Sequence, residues 1–306
     1  MTTTGEPRYL STQQVAKSLG VSVSTVKRWV DEKVLPAHRT IGGHRKLLMS
    51  DVIQLVREGN LPQADLSELI PEPPLHPLEA LPILCDQLIA ALRLADAELV
   101  NSLIVGSYKK GYSIEVLADR VIGPAMHQIG HDWEAGLIQI FQEHRATQTV
   151  VAALYTLTGQ LRPQSGSNRP VAIGGAPEND HSILPSLLCK LVLLECGWEA
   201  INLGPHTPMS SFTMAIDDLQ PRLVWLSASH LFDSEVFIRE YGDFFQVAQN
   251  RQIPVAIGGG AFTEPIRKRL LYTTFGDTLS QLAAFARMLH RQPTIPRRGR
   301  PAESPR

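Results

Sequence analysis

Cysteine is scarce in this chain. Cys85, Cys189 and Cys196 are the only three in 306 residues, and no two form a C-x-x-C pair. That excludes a disulfide framework and a cysteine zinc site, and it suits buried thiols in a reducing cytosol. The opening residues, MTTTGEPRYLS, contain no apolar stretch, so no secretory signal is expected. Every apolar run is interrupted well before the roughly 18 residues a membrane helix needs, so no membrane partner is expected either. A cytoplasmic location is the expectation. Net charge is nearly absent too: 29 Lys and Arg against 30 Asp and Glu leave −1. The balance is uneven along the chain. Residues 1–60 hold nine basic and five acidic side chains, and the rest holds twenty and twenty-five. A basic head on an acidic body keeps nucleic acid open as a partner.

Proline divides the chain. Residues 61–77, LPQADLSELIPEPPLHP, carry five prolines and read as an extended linker. RPQSGSNRP at 162–170 reads as a polar loop, and 292–306, Pro-rich and basic, as a disordered tail. Over 78–162 the apolar spacing of three and four predicts four helices in a bundle, with Gly111 and Gly136 at turns. Over 168–291 the period changes. PVAIGGA (170–176), WEAINLG (198–204), RLVWLSA (222–228) and PVAIGGGA (254–261) read as buried parallel strands, and YTTFG (272–276) as a weaker fifth. Helices are expected at 182–196, 209–220, 233–249, 263–271 and 277–290. The expected fold class is therefore multidomain α and α/β, ending in a flavodoxin-like, doubly wound parallel sheet. Ligands bind such sheets beyond the carboxyl ends of the strands, which points to the loops at 175–182, 204–208, 227–232 and 258–263.

Residues 1–60 predict a winged helix-turn-helix. Ser11 or Thr12 caps a first helix with Val15, Ala16 and Leu19 on one face, and Gly20 ends it. Ser22 to Ser24 start a second helix, STVKRWVDE. Ser22, Ser24, Thr25, Lys27 and Arg28 lie near its start, the part of a recognition helix that reaches base edges. HRTIGGHRKL follows, a hairpin with Gly42-Gly43 at its tip. His38, Arg39, His44, Arg45 and Lys46 flank that tip and would grip phosphate as a wing does. Residues 50–58 form a closing helix. The plain alternative is a small helical interaction module with a solvated basic face.

Two further features stand out. In APENDHSILPS (176–186), His181 falls where a strand gives way to a helix, facing the crevice, where an imidazole can coordinate a metal. An ordinary capping histidine is the simpler alternative. In HDWEAGLIQIFQEH (131–144), Trp133 is followed after nine residues by Glu143-His144. On its own this is an amphipathic helix with a core tryptophan and a solvated pair. The order is what informs: a Trp/Glu/His bundle, then His in the first α/β loop, Ser-x-Ser after the third strand and Gly-Gly-Gly after the fourth.

Residues 9–58 resemble the MerR-family winged helix. The order of motifs over about 9–290 resembles MerR-family regulators with a cobalamin-binding domain, the CarH/LitR-type light-responsive repressors. The resemblance implies a transcription regulator, not an enzyme. It would bind a double-stranded DNA operator, form a dimer or tetramer, and sense light through adenosylcobalamin. His181 would be the lower cobalt ligand. Ser227, Ser229, Gly258, Gly259 and Gly260 would lie along the buried nucleotide tail, and Trp133, Glu143 and His144 around the adenosyl group.

The chain departs from that pattern at three positions. In the family's D-x-H-x-x-G, Asn179 replaces the acid and Leu184 the glycine, leaving Asp180 or Glu178 as replacement carboxylates. Glu134 stands where the light-responsive members carry a histidine for the upper cobalt position, leaving His131 or His144 as replacements. The competing readings are a cobalamin-independent pocket, degenerate or holding a bilin, and a methyltransfer component.

Overall fold

The computed structural model describes residues 9–39, 45–58, 80–161 and 169–290. The expected linker at 61–77, the loop tip at 40–44 with His44, and the tail at 292–306 lie outside the described residues.

The head begins with β1 (Tyr9–Ser11), which leads directly into α1 (Thr12–Ser18). Ser11 caps α1 in a capping box: its hydroxyl accepts from the Gln14 amide, and the Gln14 side chain accepts from the Ser11 amide. Gly20, at φ 64°, ends the turn. Then α2 (Val23–Asp31) starts from Ser22, whose hydroxyl accepts from the Thr25 amide. The wing strands β2 (His38–Arg39) and β3 (Arg45–Leu48) pair antiparallel, Arg39 opposite Arg45. α3 (Met49–Glu58) closes the unit. Strand β1, absent from the sequence reading, pairs with β3 and makes the sheet order β1-β3-β2. Three residues are too few to show an alternating pattern. Val15, Leu19, Val26, Leu47, Val52 and Ile53 form the core of this small unit.

The helical module contains α4 (Leu81–Leu94), α5 (Ala97–Lys109), α6 (Ile114–Leu117), α7 (Gly123–Glu134) and α8 (Ile140–Leu161). A π-helical turn, Ala118–Ile122, joins α6 to α7, so the third expected helix is one rod with a widened turn in it. Gly111 (φ 101°) and Gly136 (φ 71°) occupy the turns on either side of that rod, as expected.

The C-terminal module is a five-stranded parallel sheet. Its strands are β4 (Val171–Pro177), β5 (Glu199–Thr207), β6 (Leu223–Ser227), β7 (Val255–Gly258) and β8 (Thr274–Gly276), in the order β5-β4-β6-β7-β8. That is the doubly wound flavodoxin-like order, whose switch point lies between β4 and β6. The connecting helices are α9 (Leu184–Glu195), α10 (Met209–Leu219), α11 (Ser234–Asn250), α12 (Glu264–Arg267) and α13 (Leu279–His290). Two lengths differ from expectation. β5 runs on past Gly204 to Thr207, and α12 is a single turn. The sheet is buried on both faces. Trp198 and Trp225 sit in the core shared with α8, α9 and α13, and Phe212, Tyr241 and Phe244 in the core under α10 and α11.

Candidate functional site

The helical module sits over the carboxyl ends of the sheet strands, and a cavity of about 1190 Å³ lies between them. Asn179, Asp180, His181 and Ser182 line it from the loop after β4; Ser227, Ser229 and His230 from β6; Gly258 and Gly259 from β7; Gly276 to Thr278 from β8. Met126, His127, Glu143, His144 and Thr147 face it from α7 and α8. Its base is Trp225, whose ring lies where a Cβ at Gly174 would be, 2.1 Å from that position. Any side chain at residue 174 would displace the indole.

Most of the expected site residues come together here. His181 is exposed, and its ring stacks on His206 with centroids 4.9 Å apart. Among the described residues its ring nitrogens make no hydrogen bond. Asp180 beside it is fully buried and fully used: one carboxylate oxygen accepts from the Ser229 and His230 amides at 2.6 and 3.4 Å, the other from Ser182 at 3.0 Å. Asp180 therefore ties the first loop to the third and does not supply the carboxylate missing at Asn179. Glu143 accepts from the Thr147 hydroxyl at 2.9 Å and stands 3.7 Å from His144.

Trp133, Glu134 and Gly260 are exposed and do not line the cavity. Trp133 and Glu134 end α7 beyond its last cavity-facing turn. Glycine is required at 258 and 259 by the chain's own backbone. A Cβ would come within 2.7 Å of the Gly276 carbonyl oxygen at the first, and within 2.2 Å of that of Ala228 at the second. At Gly260 there is open space.

Sequence reasoning missed His127 and the 276–278 loop, and it named the 227–232 loop without singling out His230. A lone histidine on a helix carries no spacing signal, and β8 is only three residues long. It also missed Asp119. This residue lies in the π-helical turn and caps α13, accepting from the Leu279 and Ser280 amides at 2.8 and 2.9 Å and from the Ser280 hydroxyl at 2.6 Å. Widened turns of this kind recur at functional sites, and this one fastens the bundle to the edge of the cavity.

A second clamp lies behind it. Glu115 on α6 pairs with Arg287 of α13 at 2.6 Å, and Glu195 at the end of α9 accepts from the Ile114 amide at 2.9 Å. Burial, and then the hydrogen bond to Glu115, push Glu195 up to about 7. At Glu115 burial acts in the same upward sense, but the hydrogen bond and charge of Arg287, with its other hydrogen bonds, together outweigh it and lower its pKa. Glu195 therefore keeps its proton to a higher pH than an ordinary carboxyl, while Glu115 is held ionised beside Arg287. A raised folded-state value means that the stability Glu195 contributes is complete below its ordinary 4.5 and fades as pH rises towards about 7. Glu195→Gln is expected to abolish that loss, leaving the variant more stable than the parent by of the order of 1 kcal/mol or more above neutrality. Thermal melts of both proteins from acidic to mildly alkaline pH check it.

In the head, Ser22, Ser24 and Thr25 hydroxyls form a small cluster at the start of α2, with Ser22 to Ser24 at 2.7 Å and Ser22 to Thr25 at 2.8 Å. Lys27 and Arg28 are exposed. Arg45 is engaged within the head: it pairs with Asp31 at 2.7 Å and donates to the Lys27 carbonyl at 3.2 Å, fastening the wing to the end of α2. Lys46 is half-buried in β3.

Comparison with known proteins bears on both ends of the chain. A helix-turn-helix domain model matches residues 9–60, and a B12 binding domain model matches residues 84–158. The chain joins a helix-turn-helix domain to a B12 binding domain. The HTH-type transcriptional repressor CarH of Myxococcus xanthus is 30% identical over 143 residues, 47% of this chain and 46% of that protein. The chain thus matches about half the length of that relative. The monomethylamine corrinoid protein of Methanosarcina barkeri superposes with a TM-score of 0.56 over 67% of this chain and 98% of its own, at 15% identity. That likeness is one of fold: a bundle over a doubly wound sheet. The B12 binding domain match falls on the bundle, α4 to α8, the wall that carries His127, Glu143 and His144. Among the described residues no helix is long and apolar enough to cross a membrane.

Proposed function

We propose that the protein is a cobalamin-dependent transcription regulator, with adenosylcobalamin as the light-sensing form and DNA as the output. The cavity carries this reading. Its volume exceeds the roughly 300–1,000 Å³ of ordinary small-molecule pockets. It offers an imidazole, His181, whose ring nitrogens make no hydrogen bond among the described residues. Among the described residues no three His, Cys, Asp or Glu side chains are grouped to hold a metal ion. Such a site suits a metal that arrives with its other ligands in a ring, which cobalt in a corrin does. The cavity floor and mouth belong to different modules, so a large ligand held at His181 touches both.

The chain's own residues have distinct tasks in this account. His181 would hold the cobalt, and Asp180 keeps the His181 loop joined to the Ser229 loop. Ser227, buried at the end of β6, and the backbone at Gly258 and Gly259 would border the nucleotide tail. Glu143, His144 and His127 would face the bound group from the bundle. Bound adenosylcobalamin supplies a cobalt–carbon bond that visible light breaks. The side chains of α7 and α8 that line the cavity would contact the bound group and so set how the bundle sits on the sheet. The regulator acts as a homo-oligomer in this reading: the bundle state sets the assembly, and the assembly sets how many heads grip the operator at once. Adding adenosylcobalamin in the dark and measuring particle size and operator affinity before and after green light tests it. A size and affinity indifferent to light would remove the light-sensing part.

The DNA side makes its own prediction. Lys27→Ala and Arg28→Ala take exposed positive charge from α2 without touching its core. Each is expected to weaken operator binding and to lower the slope of log affinity against log salt by about 0.9. Fluorescence anisotropy at several salt concentrations measures both. Arg45→Ala should instead lower the stability of the head, because its guanidinium joins β3 to α2.

A further inference from the structure

Strand β5 is longer than its sequence pattern. The apolar run ends at Gly204, where φ is 99°, and the pairing with β4 shifts register at Gly175 and again before Pro177. The strand then resumes, setting Thr207 opposite Pro177. The three residues gained carry His206 alongside the loop that presents His181. Three separate contacts join them. The His206 amide donates to the Asp180 carbonyl at 2.8 Å. The Asn179 amide donates to His206 Nδ1 at 2.8 Å. The two imidazole rings stack at 4.9 Å, 25° from parallel. Asn179 (φ 66°) and His206 (φ 51°) both adopt the left-handed conformation, which is uncommon outside glycine.

From this we infer that His206 is the positioning residue for His181. It does the orienting that Asn179 cannot do as a carboxylate, and that Asp180, saturated by backbone amides, does not do. Because the Asn179 amide donates to Nδ1, the His206 ring is fixed in plane, and the stack then fixes the plane of His181. An imidazole held in one orientation coordinates a metal better than one free to rotate, which is why partners of a ligating histidine matter nearly as much as the ligand. The inference rests on the cobalamin reading for what His181 holds.

The test uses the full-length protein and aquocobalamin, with and without reduction to the Co(II) state. In the cofactor-free protein, His206→Ala should move the His181 ring resonances, through loss of the stacked ring, and speed solvent exchange of the Asn179 amide. With cofactor, it should weaken binding by roughly 10- to 100-fold, and the Co(II) spectrum should lose the resolved coupling to an axial protein nitrogen in part of the sample. His206→Phe keeps a ring on the stack and loses only the acceptor. It should recover part of the affinity, and it provides the comparison if the alanine protein fails to fold. Wild-type affinity and undiminished axial nitrogen coupling in both variants would overturn the role of His206 alone. A parent protein that takes up no cobalamin would overturn the cofactor reading, and the ligand-positioning role with it.

Discussion

His181→Ala is expected to reduce cobalamin affinity by at least about 100-fold, beyond the range produced by losing a supporting residue. Among the described residues four imidazoles border the cavity: His181 and His230 from the sheet side, His127 and His144 from the bundle. They are not equivalent. His181 projects from the loop after β4, beside the switch point, and is braced by His206. His230 lies one residue beyond Ser229, and its amide is directed at Asp180. Removing His181 leaves Asp180 and the loop backbone intact, so the fold should persist and the loss should be confined to the ligand. His230→Ala is therefore the informative partner. It should bind cobalamin nearly as the parent does, with the same axial coordination. Equilibrium binding followed by visible absorbance separates the two. Equal losses in both variants would move the cobalt away from His181.

Asp180→Ala is expected to cost about 3 kcal/mol of stability and to impair ligand binding as a consequence. The carboxylate is fully buried and accepts from three backbone N–H groups in two loops. Alanine leaves those donors without acceptors on the cavity floor, where only water reaching them through the cavity offsets part of the loss. It also releases the Ser229 loop from the His181 loop. Asp180→Asn preserves the shape but puts an amide NH₂ towards a backbone donor, so it should restore little. Chemical denaturation of the three proteins gives the comparison. A change below about 0.5 kcal/mol for alanine would mean that the two loops are held together by something else.

These sites were legible in the sequence to different degrees. Strands β4, β6 and β7 are buried on both faces and therefore read as unbroken apolar runs ending in glycine or serine. Their order along the chain was enough to place His181 at a switch point. The turns at Gly20, Gly111 and Gly136 were legible because each needs a positive φ. The rest depends on contacts that sequence spacing does not encode. β5 looked finished at Gly204 because that glycine breaks the pattern, yet pairing with β4 carries the strand on to His206. Asp119 looked like one more polar residue on a helix. Its role exists only because a π-helical turn aims it at α13, about 160 residues away. Glu115 and Glu195 lie 80 positions apart and share an environment only once α6 packs against α9. Trp133 and Glu134 were assigned by motif to the upper side of the cofactor, while the cavity is lined from α7 by Met126 and His127, nearly two turns earlier.

The near-neutral charge of the whole chain likewise conceals a division that the fold makes explicit. The basic excess belongs to a head with exposed Lys27 and Arg28, and the acidic excess to the modules that enclose the cavity. The central claim is that cavity and head serve one switch, with cobalamin as its input. The most direct test is a dark titration of the purified full-length protein with adenosylcobalamin, followed by gel filtration and an absorbance spectrum of the protein peak. The account predicts one cobalamin per chain, co-eluting, with an imidazole-coordinated spectrum that His181→Ala abolishes. A protein peak with no cobalamin absorbance would contradict it.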